Sequence, residues 1–314
     1  MTRITLDPEI ADLVANMATQ PQMHQVPIPQ LRQVRNRIGA DDVHPVASVR
    51  DATVPGPGGD IPIRIYQPFA ERDAAEPRAL TLFFHGGGFV FGGIEGYYDH
   101  VCRVLCTEAH SVVVSVGYRL APEDPFPAAS DDGAAVLTWC AAHAAELGGS
   151  AGQLFVAGGS AGANLAAVTA LRAREQNICA LRGQVLYYPI VRYCEPPTPS
   201  LVECAEGYYL TAADIAWFWK QYLPNPADRM HPWATPINAP SLAGVAPAFM
   251  ITAEADPLRD EGEAYARKLQ ADGVAVELKR YTGMVHGFMA FPTPKSRQAL
   301  DDGATWIRRA KAAV

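Results

Sequence analysis

The sequence predicts an α/β protein in which helices flank a mixed, mostly parallel sheet, and three observations lead to this fold class. Five short apolar runs between residues 80 and 252 have the length and composition of strands that are buried on both faces. Helical stretches separate most of these runs, and such alternation is typical of parallel sheets. The chain has 314 residues, of which 49% are hydrophobic and 19% charged, so a large core is expected and extensive disorder is not.

The predicted elements follow one another along the chain. A Pro/Gly turn at residues 55–59 separates the first two strands, as in a hairpin, so the sheet is expected to begin antiparallel. Buried strands and helices then alternate up to the C-terminus. The predicted strands are 46–54, 61–66, 80–84, 112–116, 154–157, 184–188, 248–252 and 274–281, and the helices that accompany them are 98–110, 129–146, 161–176, 260–272 and 296–312.

Two segments break the alternation and are predicted to form a helical cap. Asp7 and Pro8 are a typical helix start, and apolar residues recur at helical spacing in 10–17 and again in 28–38. Residues 190–245 hold a Pro-rich stretch and an aromatic helix, and they are too long for an ordinary connection. We therefore expect cap helices in 1–45, the first part of the core in 46–189, a cap insertion in 190–245 and the second part of the core in 246–314.

Composition and charge exclude several classes of function. Lys and Arg number 26 and Asp and Glu 33, and the net charge of −7 argues against a nucleic-acid binder or a polybasic membrane binder. The sequence contains no run of about 18 apolar residues, which a membrane-spanning helix would need. Acidic residues interrupt the N-terminal stretch where a signal peptide needs apolar ones. The six cysteines form no C-x-x-C pair, so we expect free thiols in the cytoplasm. A disulfide between Cys194 and Cys204 is compatible with the sequence, but no pattern supports it.

Ser160 is the candidate nucleophile. It lies in Gly158-Gly159-Ser160-Ala161-Gly162, a G-x-S-x-G pattern between a predicted strand and a predicted helix. A serine hydroxyl in this place protrudes from a tight turn, and larger residues two positions away would collide with the neighbouring strand and helix. The alternative, a glycine-rich turn that binds an anion at the helix N-terminus, stays open at this point.

A second glycine-rich loop precedes the serine. Predicted strand 80–84 runs into residues 85–89, His-Gly-Gly-Gly-Phe, and consecutive glycines let backbone N–H groups approach an oxyanion. The loop has neither the Lys of a nucleotide-binding P-loop nor a G-x-G-x-x-G pattern. We expect His85 to brace this loop rather than to act as a base, and a glycine loop without a role is the remaining alternative.

A serine nucleophile needs a base, and two histidines follow Ser160 in the sequence. His231 falls in the Pro-rich insertion, where we expect a surface or cap residue. His286 lies in a glycine-flanked loop after the last predicted strand, which suits a mobile imidazole. We therefore choose His286 as the base, with a buried structural histidine as the alternative interpretation.

The base in turn needs an acid, which is expected after predicted strand 248–252. Glu254 adjoins the end of this strand. Asp260 and Glu261 are expected to open the next helix, where acidic residues favour the helix dipole. Asp256 falls in the loop itself, so we choose Asp256 as the acid that orients His286.

Five sequence motifs occur together in an order that is typical of one family. They are Tyr-Arg-Leu-Ala-Pro-Glu at 118–123, the glycine loop, the serine turn, Asp-Pro-Leu-Arg-Asp-Glu at 256–261 and His-Gly-Phe at 286–288. From about residue 45 to the C-terminus, the chain resembles the hormone-sensitive-lipase-like carboxylesterases (bacterial family IV). The resemblance implies an α/β-hydrolase core, a helical cap and short- to medium-chain ester substrates. It also implies that Gly87, Gly88 and Ala161 supply the oxyanion N–H groups.

Three positions depart from the family pattern. Gly159 stands where Asp or Thr commonly precedes the nucleophile, Ala163 replaces a glycine that often follows the serine turn, and Phe89 replaces a frequent Trp. None of the three is a candidate nucleophile, base or acid. Any contact that an acid before the nucleophile makes in the family is not expected in this chain.

These residues predict a serine carboxylesterase that acts on a small-molecule ester through an acyl-enzyme, with no metal and no organic cofactor. An amidase or peptidase would use the same machinery, and a non-catalytic receptor of this fold is disfavoured because such receptors lack the histidine found here. A homodimer through the last strand and the C-terminal helix is compatible with the sequence, but no pattern argues for it. The residues predicted to line the apolar pocket, with core packing as the alternative for each, are Phe89, Phe91, Tyr188, Tyr208 and Leu210.

Overall fold

The computed structural model describes residues 4–35, 44–70 and 78–312, and these residues form one eight-stranded sheet with helices on both faces. The strands are β1 (Ser48–Gly56), β2 (Gly59–Gln67), β3 (Ala79–Phe84), β4 (Ser111–Val116), β5 (Leu154–Gly159), β6 (Gly183–Tyr187), β7 (Ala248–Ala255) and β8 (Val276–Val285). Their order across the sheet is β1-β2-β4-β3-β5-β6-β7-β8. β1 and β2 pair antiparallel and β2 pairs antiparallel with β4, whereas all pairs from β4 to β8 are parallel. The predicted mixed, mostly parallel α/β fold is confirmed.

Apart from one short helix within 190–245 that the sequence did not predict, the helices fall close to the predicted ranges. They are α1 (Pro8–Met17), α2 (Ile28–Arg35), α3 (Tyr97–Glu108), α4 (Ala128–His143), α5 (Ala161–Glu175), α6 (Pro199–Glu203), α7 (Ala212–Tyr222), α8 (Arg259–Ala271) and α9 (Pro294–Ala312). The end of the second predicted apolar stripe lies outside the described residues. No helix in the described part of the chain is long and apolar enough to cross a membrane.

The sheet separates two apolar cores. Along β3, Leu80, Leu82 and Phe84 point into one core and Ala79 and Phe83 into the other, because successive side chains of a strand face opposite sides. α4, α5 and α8 cover the first core, and α3 and α9 cover the second. Burial on both faces explains why β3, β4 and β5 read as continuous apolar runs.

The N-terminal segment and residues 190–245 contact each other beyond the carboxyl ends of the strands. A short 3-10 helix, Met23–Gln25, follows α1, and both the backbone N–H and Nδ1 of His24 bond Oδ1 of Asp214, at 2.9 and 2.8 Å. Arg32 of α2 donates to the carbonyl oxygen of Val90 at 2.8 Å. These contacts join the 3-10 helix to α7 and join α2 to the loop after β3.

Candidate active site

The turn that carries Ser160 is strained and tightly packed. β5 ends at Gly159, α5 begins at Ala161, and Ser160 between them has a φ of +58°, which is costly for a residue with a side chain. Gly162 approaches β3 so closely that a Cβ there would lie 2.0 Å from the carbonyl oxygen of Phe84. The close packing of its neighbours keeps this turn tight. Ser160 lies at its tip and lines a cavity at the carboxyl edge of the sheet.

His286 and Asp256 reach the serine from two adjacent strands. Asp256 directly follows β7 and His286 directly follows β8, and these strands are parallel neighbours. His286 Nε2 lies 2.8 Å from Ser160 Oγ, and His286 Nδ1 lies 2.8 Å from Asp256 Oδ2. Asp256 is fully buried, and its Oδ1 accepts the backbone N–H of Leu258 at 2.8 Å. The three side chains form one continuous hydrogen-bonded chain.

The other candidate acids and the other candidate base have different surroundings. Glu254, Asp260 and Glu261 each accept a hydrogen bond from a backbone N–H of another segment. Burial raises the pKa of Glu261 from its ordinary value of 4.5 to about 8. His231 is exposed and lies within the segment 190–245. Of the acids that the sequence offered, the structure brings Asp256 to the imidazole.

The glycine loop after β3 borders the same cavity as the serine. Gly87 and Gly88 line this cavity, and α5 begins beside it with the backbone N–H of Ala161. His85 is buried beneath the loop, where its ring stacks on Tyr118 with 4.1 Å between the ring centroids. Burial lowers the pKa of His85 to about 4, so this imidazole is neutral near pH 7. Its position is that of a support for the loop.

The cavity has a volume of about 110 Å³ and is mostly apolar. Three residues predicted to line it do so, namely Phe91, Tyr188 and Leu210. The Tyr188 ring also meets the His286 ring edge to face, with 4.9 Å between centroids. The imidazole is therefore held on one side by Asp256 and on another by an aromatic ring.

Phe89 and Tyr208 lie elsewhere, and their predicted place on the cavity is corrected here. Phe89 has a φ of +64°, is fully buried and stacks on Tyr222 of α7 with 3.8 Å between centroids. Tyr208 is buried against the N-terminal segment, and its hydroxyl accepts the backbone N–H of Ile4 at 2.9 Å. In both cases packing between segments distant in sequence directs the ring away from the cavity.

Several lining side chains were missed by sequence reasoning. Tyr97 and Tyr98 open α3 and follow the carboxyl end of β3, a place where ligands commonly bind in open α/β sheets, so a pattern existed that could have found them. Met23, Tyr209 and Phe218 carry no such pattern. They reach the cavity only because the N-terminal segment and residues 190–245 fold over it.

The site combines the parts that acyl transfer requires. A half-buried serine hydroxyl, an imidazole, a buried carboxylate and a glycine loop that can present N–H groups meet at one small cavity. Within the described ranges, no group of three or more His, Cys, Asp or Glu side chains is arranged to hold a metal ion. This geometry suits a serine that attacks a carbonyl carbon while the imidazole takes its proton.

Comparison with known proteins identifies the class. Residues 81–290 match a family model described as the alpha/beta hydrolase fold. The esterase LipI of Mycobacterium tuberculosis is 38% identical over 288 residues, covering 90% of this chain and 88% of its own, and the ethyl acetate hydrolase of Pseudomonas putida is 41% identical over 234 residues, covering 74% and 72%. A hyperthermophilic esterase from the archaeon Pyrobaculum calidifontis superposes with a TM-score of 0.90 at 40% identity, covering 99% of this chain and 100% of that chain. The chain belongs to the α/β-hydrolase family, in its hormone-sensitive-lipase-like branch, and the resemblance drawn from its motifs is confirmed.

Proposed function

We propose that the protein is a serine carboxylesterase that hydrolyses short- to medium-chain carboxylic esters through an acyl-enzyme intermediate. The observation that carries the proposal is the hydrogen-bonded chain from Asp256 through His286 to Ser160. The relatives compared above are an esterase and an ethyl acetate hydrolase, which agrees with a carboxylic ester hydrolase and a small-molecule ester as substrate. The amidase and receptor alternatives are not favoured by these relatives.

Each side chain has one role in the proposed reaction. Ser160 Oγ attacks the ester carbonyl carbon while His286 Nε2 accepts the hydroxyl proton. Asp256 keeps the other proton on Nδ1 and stabilises the imidazolium that forms. The alcohol departs with the proton from His286, and water then attacks the acyl group with the same imidazole as base. The alcohol and the acid are released, and the serine regains its proton.

Backbone N–H groups stabilise the oxyanion that forms at each attack. We assign this role to Gly87, Gly88 and Ala161, since the first two line the cavity and the third begins α5 beside the serine. Gly88 has a φ of +60°, and a Cβ on it would lie 2.2 Å from the Phe218 ring, so a larger residue would displace the loop. One such donor contributes about 3 kcal/mol to transition-state stabilisation in comparable hydrolases.

The size of the cavity supports small ester groups. Its 110 Å³ is small beside the ~300–1,000 Å³ typical of sites for drug-sized ligands. Phe91, Tyr188 and Leu210 provide an apolar lining that suits an alkyl chain rather than a charged group. Short and medium acyl groups therefore suit the site better than the chains of an emulsified triglyceride.

We propose that residues 1–45 and 190–245 act together as a cap over this cavity. The His24–Asp214 contact supports the proposal, and residues 1–3 and 36–43 lie outside the described part. A cytoplasmic location is a further proposal, supported by six free cysteines. A homodimer is also proposed, through β8 and α9, because β8 is an edge strand that exposes Leu278.

Replacement of the nucleophile and the base tests the proposal. Ser160→Ala and His286→Ala should each lower kcat for p-nitrophenyl butanoate by about 10⁶-fold. Ser150→Ala is the matched control, since Ser150 caps a 3-10 helix before β5 and its loss should leave kcat unchanged. The corresponding p-nitroanilide and a fluorophosphonate probe separate the alternatives: faster anilide cleavage would favour an amidase, and an unlabelled wild-type serine would favour a receptor. Ester turnover near the wild-type rate in Ser160→Ala would remove the assignment.

A further inference from the structure

A second, larger cavity lies directly beside the candidate active site. It has a volume of about 510 Å³ and is bounded by the end of α1, the start of α2 and the segment that leads into α7. Two residues line both cavities, Met23 and Tyr209. These two side chains therefore separate a small cavity at the catalytic serine from a groove more than four times its volume.

Met23 is held in place by the residues around it. It is only 6% exposed and begins the 3-10 helix Met23–Gln25. The next residue, His24, bonds Asp214 through its backbone N–H and its ring, and the preceding Gln22 accepts a hydrogen bond from Thr211 at 3.3 Å. Because both sequence neighbours are tied to the start of α7, the backbone at Met23 is anchored where its side chain lies between the two cavities.

Tyr209, in the segment that leads into α7, is the second residue of the partition, the name used below for Met23 and Tyr209 between the two cavities. It has a φ of +75°, which a tyrosine adopts only when its surroundings require it, and its ring meets Phe291 edge to face with 5.9 Å between centroids. A Cβ on Gly287, the residue after His286, would lie 3.7 Å from the Tyr209 ring. This side of the partition therefore stands close to the catalytic imidazole.

The chemistry of the groove suits an uncharged chain. Met17, Val26 and Leu31 give the N-terminal side apolar character. The polar residues Gln20, Gln30 and Glu206 also line the groove, and all three are exposed to solvent at its rim. Asp214 also borders the groove, but both of its carboxylate oxygens already accept hydrogen bonds, Oδ1 from His24 and Oδ2 from the backbone N–H of Thr211. An unbranched alkyl chain that passed the partition would gain apolar contact without displacing an ion pair.

We propose that Met23 is the specificity-determining residue that limits the length of the ester's alkyl chain, and that the groove is the subsite which longer chains enter once this side chain is shortened. The inference rests on the proposed esterase function and deepens it. The Met23 side chain occupies space and takes no part in bond formation or proton transfer. Shortening it should therefore change kcat/KM for long substrates and leave the reaction steps as they are.

The test compares kcat/KM for two series of esters. One series varies the acyl group of p-nitrophenyl esters from acetate to dodecanoate, and the other varies the alkyl alcohol of acetate esters over the same lengths. In Met23→Ala, the kcat/KM for the decanoate divided by that for the butanoate should rise about tenfold, or the same ratio should rise for the matching alkyl acetates. A tenfold rise is the gain expected from burying a few more methylene groups. The series that responds tells whether the acyl or the alcohol chain enters the groove.

Two further variants serve as controls. Met23→Leu conserves the volume of the partition and should keep the wild-type ratio in both series. Met250→Ala removes an equally sized side chain from the middle of β7, and it should also keep the ratio. If Met250→Ala changes the ratio as Met23→Ala does, the effect is general loosening and the inference fails.

An unchanged chain-length profile in folded Met23→Ala would overturn the inference. If this variant does not fold, Tyr209→Gly replaces it, because glycine adopts positive φ without strain and also opens the partition. Tyr209→Gly should then raise the same ratio, and an unchanged ratio would again be a refutation. Wild-type hydrolysis of the butanoate reports on the esterase function independently, so failure of the inference and failure of the proposed function are distinguishable.

Discussion

Replacement of Asp256 by asparagine should disable the base while leaving the fold intact. Asp256 accepts two hydrogen bonds, one from His286 Nδ1 and one from the backbone N–H of Leu258, both at 2.8 Å. An asparagine has one oxygen and one NH₂ group, so it can accept only one of them. If its oxygen faces the imidazole, its NH₂ opposes the buried Leu258 N–H, and one unsatisfied buried donor costs about 1–3 kcal/mol.

The favoured orientation therefore turns the NH₂ group toward the imidazole. His286 must then accept at Nδ1 and carry its proton on Nε2, the nitrogen that lies 2.8 Å from Ser160 Oγ. An imidazole in this tautomer cannot take the serine proton, and we expect kcat to fall by about 10⁴-fold. The assay is kcat for p-nitrophenyl butanoate near pH 7, together with the melting temperature as a measure of folding.

Asp260→Asn is the matched control for this change. Asp260 lies four residues further on, in the first turn of α8, where it accepts the backbone N–H of Ser200 at 2.7 Å. Its amide variant should keep kcat near the wild-type value. A folded Asp256→Asn variant with near wild-type kcat, or a greater loss in Asp260→Asn, would refute the reasoning and move the role of the acid.

Two further predictions concern stability. Because the pKa of Glu261 is raised to about 8 in the folded state, its stabilising contribution is complete below its ordinary pKa of 4.5 and is lost as the pH rises through about 8. The free energy of unfolding in urea should fall by up to about 4 kcal/mol between about pH 5 and about pH 9, and much less in Glu261→Gln; equal pH dependence in both proteins would contradict this. Gly162→Ala places a Cβ 2.0 Å from the carbonyl oxygen of Phe84, whereas Gly159→Ala makes an ordinary 3.4 Å contact with Tyr188. We expect Gly162→Ala to lower the free energy of unfolding by about 3 kcal/mol or more and Gly159→Ala to unfold near the wild-type midpoint. Equal midpoints for the two variants would contradict the tight packing of the turn that carries Ser160.

The parts of the structure governed by local sequence patterns were predictable. Strands buried on both faces appear as apolar runs, and the close approach of Gly162 to β3 requires a glycine that the pattern displays. The chain order of serine, acid and histidine also led to Asp256 and His286, because each directly follows a strand end at one edge of the sheet.

The lining of the cavity was less predictable, for a physical reason. Phe89 adjoins the glycine loop in sequence, yet its ring stacks on Tyr222, 133 positions later. Met23 reaches the site through the His24–Asp214 contact, which joins residues 190 positions apart. Which side chain faces a cavity beneath two distant segments depends on how those segments pack, and no periodicity in either segment encodes it.

The most direct test of the central claim is to trap the acyl-enzyme. Wild-type protein is mixed briefly with p-nitrophenyl acetate, quenched in acid, digested and analysed by mass spectrometry. The account predicts one added acetyl group on the peptide that contains Ser160, and none in Ser160→Ala treated in the same way. Acetylation of another residue during turnover, or hydrolysis by the wild type with an unmodified Ser160 and no loss of activity in Ser160→Ala, would contradict it.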